Sequence, residues 1–175
     1  MYLPRFTIGL FFVLSALSND TGCSSSSHQG TIEVLVSDHP DAVGDFSPFE
    51  VELASVDLHH AGEPFKTGWL QLQPLHEVVD LTEVVGADSV LIIRQSIPAG
   101  KYDAIRINAG EARGTLLDGG EIDLGNFSEV GRIKLSLANG QTVTLLVDLK
   151  VQSRLDHSGQ GYGLPLGRTT RIPRP

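Results

Sequence analysis

Three carboxylates, Asp38, Asp41 and Asp45, share one Gly- and Pro-containing loop. Oxygen donors on a turn-rich loop are the donor set that Ca²⁺ takes. The spacing matches no EF-hand, and Asp also serves turns by bonding nearby backbone. A calcium site and a set of solvated turn carboxylates therefore both fit. His59 and His60 are adjacent, so on a strand they point to opposite faces. His39, His76 and His157 are scattered. A zinc site needs three or more converging ligands, and neither His-x-x-x-His nor His-x-His occurs. Ser153, Asp156, His157 and Ser158 are sequence neighbours, whereas a hydrolytic triad is assembled in space from separate elements. There is no Gly-x-Ser-x-Gly elbow. The glycines of Gly159-Gln160-Gly161-Tyr162-Gly163 lack the following Lys and helix of a phosphate loop. No catalytic residue is assigned, and the expectation is a protein that is not an enzyme. Trp69, Tyr102 and Tyr162 could stack on sugar rings or could pack against a core. Arg168, Arg171 and Arg174 form a basic tail that could touch anionic headgroups or lie solvated along an edge.

The single cysteine, Cys23, excludes an intramolecular disulfide and a Cys-based metal cluster. Its position gives it another role. Residues 1–5 carry one positive charge, and residues 6–17 are apolar apart from Thr7, Gly9 and Ser15. That run suits a secretory signal and is too short to span a bilayer. Gly22-Cys23-Ser24 follows, then more serines. The arrangement resembles a bacterial lipoprotein signal, in which the thiol after the cleavage site receives a diacylglycerol, with Asp20 standing where such signals carry an apolar residue. Residues 1–22 are expected to be a signal peptide, and residues 23–30 a lipidated Cys23 with a flexible Ser-rich tether. Acyl chains would anchor the protein by burying methylenes worth about 0.8 kcal/mol each.

The elements behind these residues alternate with a period of two, which is the strand signature. In residues 31–37, Ile32, Val34 and Val36 share one face. Residues 49–58 alternate too, with a change of parity near Ser55 that predicts a bulge. Residues 69–72 and 77–81 are short strands, and Thr82 is positioned to cap a helical turn over 83–87. Residues 89–96 include an apolar run that predicts burial on both faces. Separate strands follow over 102–109 and 111–117. Asp118-Gly119 predicts a hairpin to 121–124, and Asn139-Gly140 predicts a hairpin pairing 131–138 with 141–149. Residues 151–161 read as a polar loop and 162–172 as a final extended segment. In Ser96-Ile97-Pro98-Ala99-Gly100-Lys101-Tyr102, a turn feeds a strand that opens on Tyr102. This order resembles the tyrosine corner of immunoglobulin-like sandwiches, where the hydroxyl returns to backbone a few residues upstream.

No stretch shows a helical period. Strands punctuated by turns predict an all-β fold, an antiparallel β-sandwich of immunoglobulin-like or prealbumin-like kind over residues 31–172. Such a domain buries about 68–70% of the surface of its unfolded chain and needs no staple. The formal charge is −8. The segment before Cys23 holds one base, Arg5, and one acid, Asp20, so its removal leaves −8. An acidic domain repels phosphate backbones, which excludes nucleic acid as an expected partner.

Taken in order, these landmarks resemble an uncharacterised domain family found mostly in exported bacterial lipoproteins. Val36-Ser37-Asp38-His39-Pro40 stands for its Thr-Asp-Ala-Pro-like first turn, and Val56-Asp57-Leu58-His59 for a Val-x-Val-His-like segment. Trp69-Leu70-Gln71-Leu72 and Val79-Asp80-Leu81 follow in place. The most specific match is Leu-Pro-Ala-Gly-x-Tyr-x-x-Ile-Arg-Leu, against residues 97–107. The resemblance implies a β-sandwich lipoprotein and carries no activity. The expected protein is exported and held at a periplasmic, outer-membrane or cell-surface face through Cys23. It would act as an interaction or structural module for an envelope protein. The alternative is a module that binds glycan or Ca²⁺ through its loops.

Overall fold

A computed structural model describes residues 28–40, 42–156 and 159–173. The expected signal peptide, Cys23, Asp41, His157, Ser158 and Arg174 lie outside the described residues. The protein is an all-β sandwich. Its strands are β1 (Gln29–Ser37), β2 (Phe46–His60), β3 (Trp69–Leu72), β4 (Val78–Asp80), β5 (Val90–Pro98), β6 (Gly100–Leu116), β7 (Glu121–Asp123), β8 (Phe127–Leu137), β9 (Thr142–Leu149), β10 (Gln152–Asp156), β11 (Gly159–Gly163) and β12 (Leu166–Ile172). Sheet I runs β12-β9-β1-β5. Sheet II runs β3-β2-β6-β7, with β4 also on β2 and β8 also on β6, and β10-β11 is a separate hairpin. Pairs are antiparallel except β1 with β9, which is parallel.

The alternating apolar positions become the interface between the sheets. Ile32, Val34 and Val36 of β1 meet Phe49, Val51, Val56 and Leu58 of β2, with Ile105 and Ile107 of β6 and Val143, Leu145 and Val147 of β9 in the same core. Among the described residues the core begins at Ile32. The parity change in β2 is a register shift against β6 between Leu53 and Ser55. Tyr102 is buried, and its hydroxyl donates to the Pro98 carbonyl at 2.7 Å. That bond closes the passage from β5 in sheet I to β6 in sheet II, as the turn sequence predicts.

Several local expectations change. Asn139-Gly140 makes a tight turn, with Gly140 at φ 71°, but it joins the two sheets rather than forming a hairpin. β8 pairs with β6 and β9 pairs with β1. The turn itself is drawn to the start of β1: Gly140 N–H donates to the Gln29 carbonyl and Gln29 N–H to the Asn139 side chain. Two long sheet edges satisfy more backbone than one hairpin would, and they override the dipeptide's preference. The strands foreseen on either side of Gly110 are one strand, β6, which β2 pairs on both sides of that glycine, with the Glu52 side chain beside it. The helical turn expected over 83–87 lies instead at Leu81–Glu83, capped by Asp80, whose carboxylate accepts from Thr82 N–H at 2.9 Å and from Thr82 Oγ1 at 2.7 Å. β5 is buried on both faces only at Ile92 and Ile93, and Arg94 to Ser96 are exposed. β2 begins at Phe46, so the loop is shorter than expected. Pro48 falls in the register shift between Phe46 and Phe49, where its missing N–H costs no ladder bond.

The strand directions give the sandwich two ends. At the proximal end lie His28, the β2–β3 connection, the Pro98–Gly100 corner and the Asn139-Gly140 turn, tied together by Ala99 N–H to His28 O and Ala61 N–H to Lys101 O. At the distal end lie the Asp38 loop, the segment 81–89, the Asp118 turn and the links around β10–β11.

Candidate functional site

The most elaborate arrangement of polar side chains is on the outer face of sheet II, and pleating puts it there. With Val56 and Leu58 committed to the core, Ser55, Asp57 and His59 must face outward. Antiparallel register sets Ser55 opposite Asn108, Asp57 opposite Arg106 and His59 opposite Ala104. β3 brings Gln71 beside Asp57 and Trp69 beside His59. β8 brings Ser128, Val130 and Arg132 beside Asn108, Arg106 and Ala104.

Asp57 is the hub. Its Oδ2 accepts from Arg106 Nε at 2.9 Å, from Arg106 Nη2 at 2.6 Å and from Asn108 Nδ2 at 2.9 Å. Its Oδ1 accepts from Ser55 Oγ at 2.9 Å, and that hydroxyl accepts from Asn108 Nδ2 at 2.8 Å. Ser128 Oγ donates to Asn108 Oδ1 at 2.7 Å. Asp57 is buried although it sits on an outer face. A buried carboxylate is tolerated only with donors of this number and charge.

Beside this network, His59 Nδ1 faces Asp103 Oδ1 at 2.7 Å. A carboxylate can only accept, so Nδ1 carries the proton. Nε2 faces the Pro64 carbonyl at 3.3 Å. The ring is 1% exposed because the β2–β3 connection folds over it. Phe65 and Trp69 meet it at centroid distances of 5.1 and 5.0 Å, and Trp69 Nε1–H donates to the Phe65 carbonyl at 2.8 Å. Arg106 lies 4.2 Å over the Trp69 ring and Arg132 lies 4.7 Å over Phe65. Cation–π contacts of this geometry hold both guanidinium groups flat on the aromatic surface.

Farther along the same face the character changes. Glu50, Glu121 and Asp123 line a cleft of about 410 Å³ with Arg113. Arg113 pairs with Glu111.

The residues singled out from the sequence are dispersed. Asp38 is 1% exposed at the distal end of β1. Its Oδ1 accepts from Val151 N–H at 3.2 Å, and its Oδ2 is buried without a hydrogen-bond partner among the described residues. Burial pushes its carboxyl up to about 7, with the neighbouring Asp148 charge adding to the rise. Asp45 is exposed, and its Oδ2 accepts from Tyr162 Oη at 3.2 Å. Burial first, then that carboxylate, raises the Tyr162 phenol. Asp38 and Asp45 thus have different surroundings, and among the described residues no group of three His, Cys, Asp or Glu could hold a metal ion. His59 and His60 do face opposite ways: His60 stacks on Tyr102 at 4.5 Å. The three aromatics do not form one platform. Trp69 is on the outer face, Tyr102 is in the core, and Tyr162 packs on Phe46 at 4.8 Å at the distal end. Ser153 is exposed on β10, where it pairs with Tyr162 of β11, and Arg168 and Arg171 are exposed on β12.

The Asp57 and His59 clusters were not foreseen. Their only signal is a polar residue at every second position, Ser55, Asp57, His59 and then Arg106, Asn108, and reading it requires the register between two strands some 50 positions apart.

The sequence profile of a family described as "Domain of unknown function (DUF4382)" matches residues 29–164. No curated protein and no solved structure matches the chain.

Proposed function

Because the chain belongs to the DUF4382 family, whose description assigns no activity, we propose a role from its own residues: a non-catalytic interaction module, tethered to the cell envelope by acyl chains on Cys23. The wiring of the sheet II face carries this reading. Asp57 and Asp103 accept from Arg106 and His59, and the His59 ring is covered by Phe65 and Trp69. A general base needs an open path to its substrate, whereas these groups are spent on one another. Left outward are Phe65, Val130 and Arg132, all exposed. Aromatic and arginine side chains of this kind dominate the affinity of protein interfaces. A sugar ring would first have to displace guanidinium groups from both aromatic faces, which disfavours a glycan here.

The tether is supported by the apolar run of residues 6–17 and by Gly22-Cys23-Ser24. Metabolic labelling with an alkyne fatty acid tests it. The wild-type chain should take up label and fractionate with membranes, and Cys23→Ala should lose the label. An unlabelled wild-type protein would refute the acyl anchor. Cross-linking from a photoreactive residue at position 130 tests the face: adducts there but not at position 117, at the distal end, are expected. Equal yields from both positions would refute it.

A further inference from the structure

The charges of this acidic protein are unevenly distributed between its two ends. The distal end carries Asp38, Asp45, Glu83, Asp88, Asp118, Glu121, Asp123 and Asp148. The proximal end carries Lys66 in the β2–β3 connection, Lys101 at the start of β6, and Arg132 and Lys134 near the end of β8, all exposed, against two acids, Glu63 and Asp103, the latter 3.9 Å from Arg132. Three of the four lysines in the chain are therefore at one end. Lys101 and Lys134 flank a shallow recess of about 280 Å³ whose wall includes Ile133 and Ser136. Phe65, 44% exposed, stands at the same end beneath Arg132.

This is also the end where the chain enters the sandwich. His28 O accepts from Ala99 N–H at the Pro98 corner, and Gln29 is tied to Asn139 and Gly140. Four serines, Ser24 to Ser27, separate Cys23 from His28, and the five steps between them reach at most about 17 Å when fully extended.

We propose that the proximal end is a second membrane contact: Lys66, Lys101, Arg132 and Lys134 face anionic lipid headgroups, and Phe65 enters the interface. The proposal rests on the anchoring reading for the nearness of the leaflet, while the charge of the end is independent of it. Basic side chains within a Debye length of an anionic surface are attracted, and an aromatic ring is favoured at headgroup depth. The acidic distal end is repelled by the same surface, so the field both attracts and orients the domain. Two lysines flanking a recess, with Lys66 and Arg132 at the same end, suit headgroups arrayed in a plane. The module would then stand with its sheets along the membrane normal and its distal loops outward.

A chain beginning at Ser24 tests this without the acyl group, since it contains every core residue among the described residues. Its sedimentation with vesicles of phosphatidylcholine alone is compared with vesicles that are one-third phosphatidylglycerol. Binding is expected on the anionic vesicles only and is abolished by high salt. Lys66→Gln, Lys101→Gln and Lys134→Gln should each weaken it roughly fivefold. Phe65→Ala should weaken it too, and Arg113→Glu, at the acidic end, should leave it unchanged. Circular dichroism of each variant confirms the fold. Equal partition onto both vesicle types would overturn the proposal, as would lysine variants that bind like wild type or an Arg113→Glu loss of the same size. Vesicle binding competed away by purified cell-wall glycan would assign the end to a glycan instead. Acyl labelling of Cys23 is read separately, so the anchor and this contact can fail independently.

Discussion

Asp38 should make the protein lose stability as the pH rises, opposite to the usual behaviour of carboxylates. Its side chain is enclosed by the end of β1 and by Val151, with one oxygen bonded to a backbone N–H and the other unpartnered among the described residues. Asp148 and His39 are the charged neighbours. Burial raises the folded carboxyl to about 7, above its ordinary 3.8. Between those values the folded state holds a proton that the unfolded state has released. The stabilisation is thus fully present below about pH 4 and is lost as the pH rises through about 7. At 1.36 kcal/mol per unit, a rise of this size is worth at most about 4 kcal/mol, and local relaxation makes about 2 kcal/mol the expected value. Other carboxylates titrate in the same range, so the measurement is a difference between wild type and Asp38→Asn. Asn keeps an oxygen for Val151 N–H and cannot ionise. Urea unfolding followed by the fluorescence of Trp69, the single Trp, gives both stabilities from about pH 3.5 to about pH 8.5, a range that brackets both values. The two should be within about 1 kcal/mol at about pH 3.5, below the unfolded value, the size of one altered hydrogen bond. The variant should be the more stable by about 2 kcal/mol at pH 8, the full ionisation cost. A difference that does not change with pH, or one that favours wild type at pH 8, would refute the reasoning.

Three further substitutions test the wiring of the fold and are read by the same urea titration. Tyr102→Phe removes the donor of a buried side chain to the Pro98 carbonyl and should cost about 1–3 kcal/mol; a change within about 0.3 kcal/mol would mean that the hydroxyl holds nothing. Asp57→Ala strands Arg106, Asn108 and Ser55 together and should cost about 3 kcal/mol, several times the cost of Ser128→Ala at the network's exposed margin. Gly30→Ala would set a methyl carbon 2.8 Å from the Ala138 and Gln141 carbonyls, where β1 enters beside the Asn139-Gly140 turn. Backbone cannot yield as a side-chain tip can, so about 2–4 kcal/mol is expected.

The sequence by itself determined the class of fold, because alternation at period two leaves each strand one apolar face that only a second sheet can cover. Ile32, Val34 and Val36, or Val143, Leu145 and Val147, state this in a handful of residues. It also determined the Tyr102 corner, since a bond spanning four residues is a local matter. Which strands become neighbours was decided by the tertiary structure. Asn139-Gly140 has the chemistry of a hairpin turn, yet the open edges of β1 and β6 claimed its two flanking strands for different sheets. The surroundings of each carboxylate were decided there too. Asp38 and Asp45 share a loop in sequence, but one is sealed under Val151 and the other meets Tyr162 in the open. Asp57 gained its partners from a strand some 50 residues away. Burial and pairing are properties of what packs around a residue, and in a sheet that neighbourhood comes from distant parts of the chain.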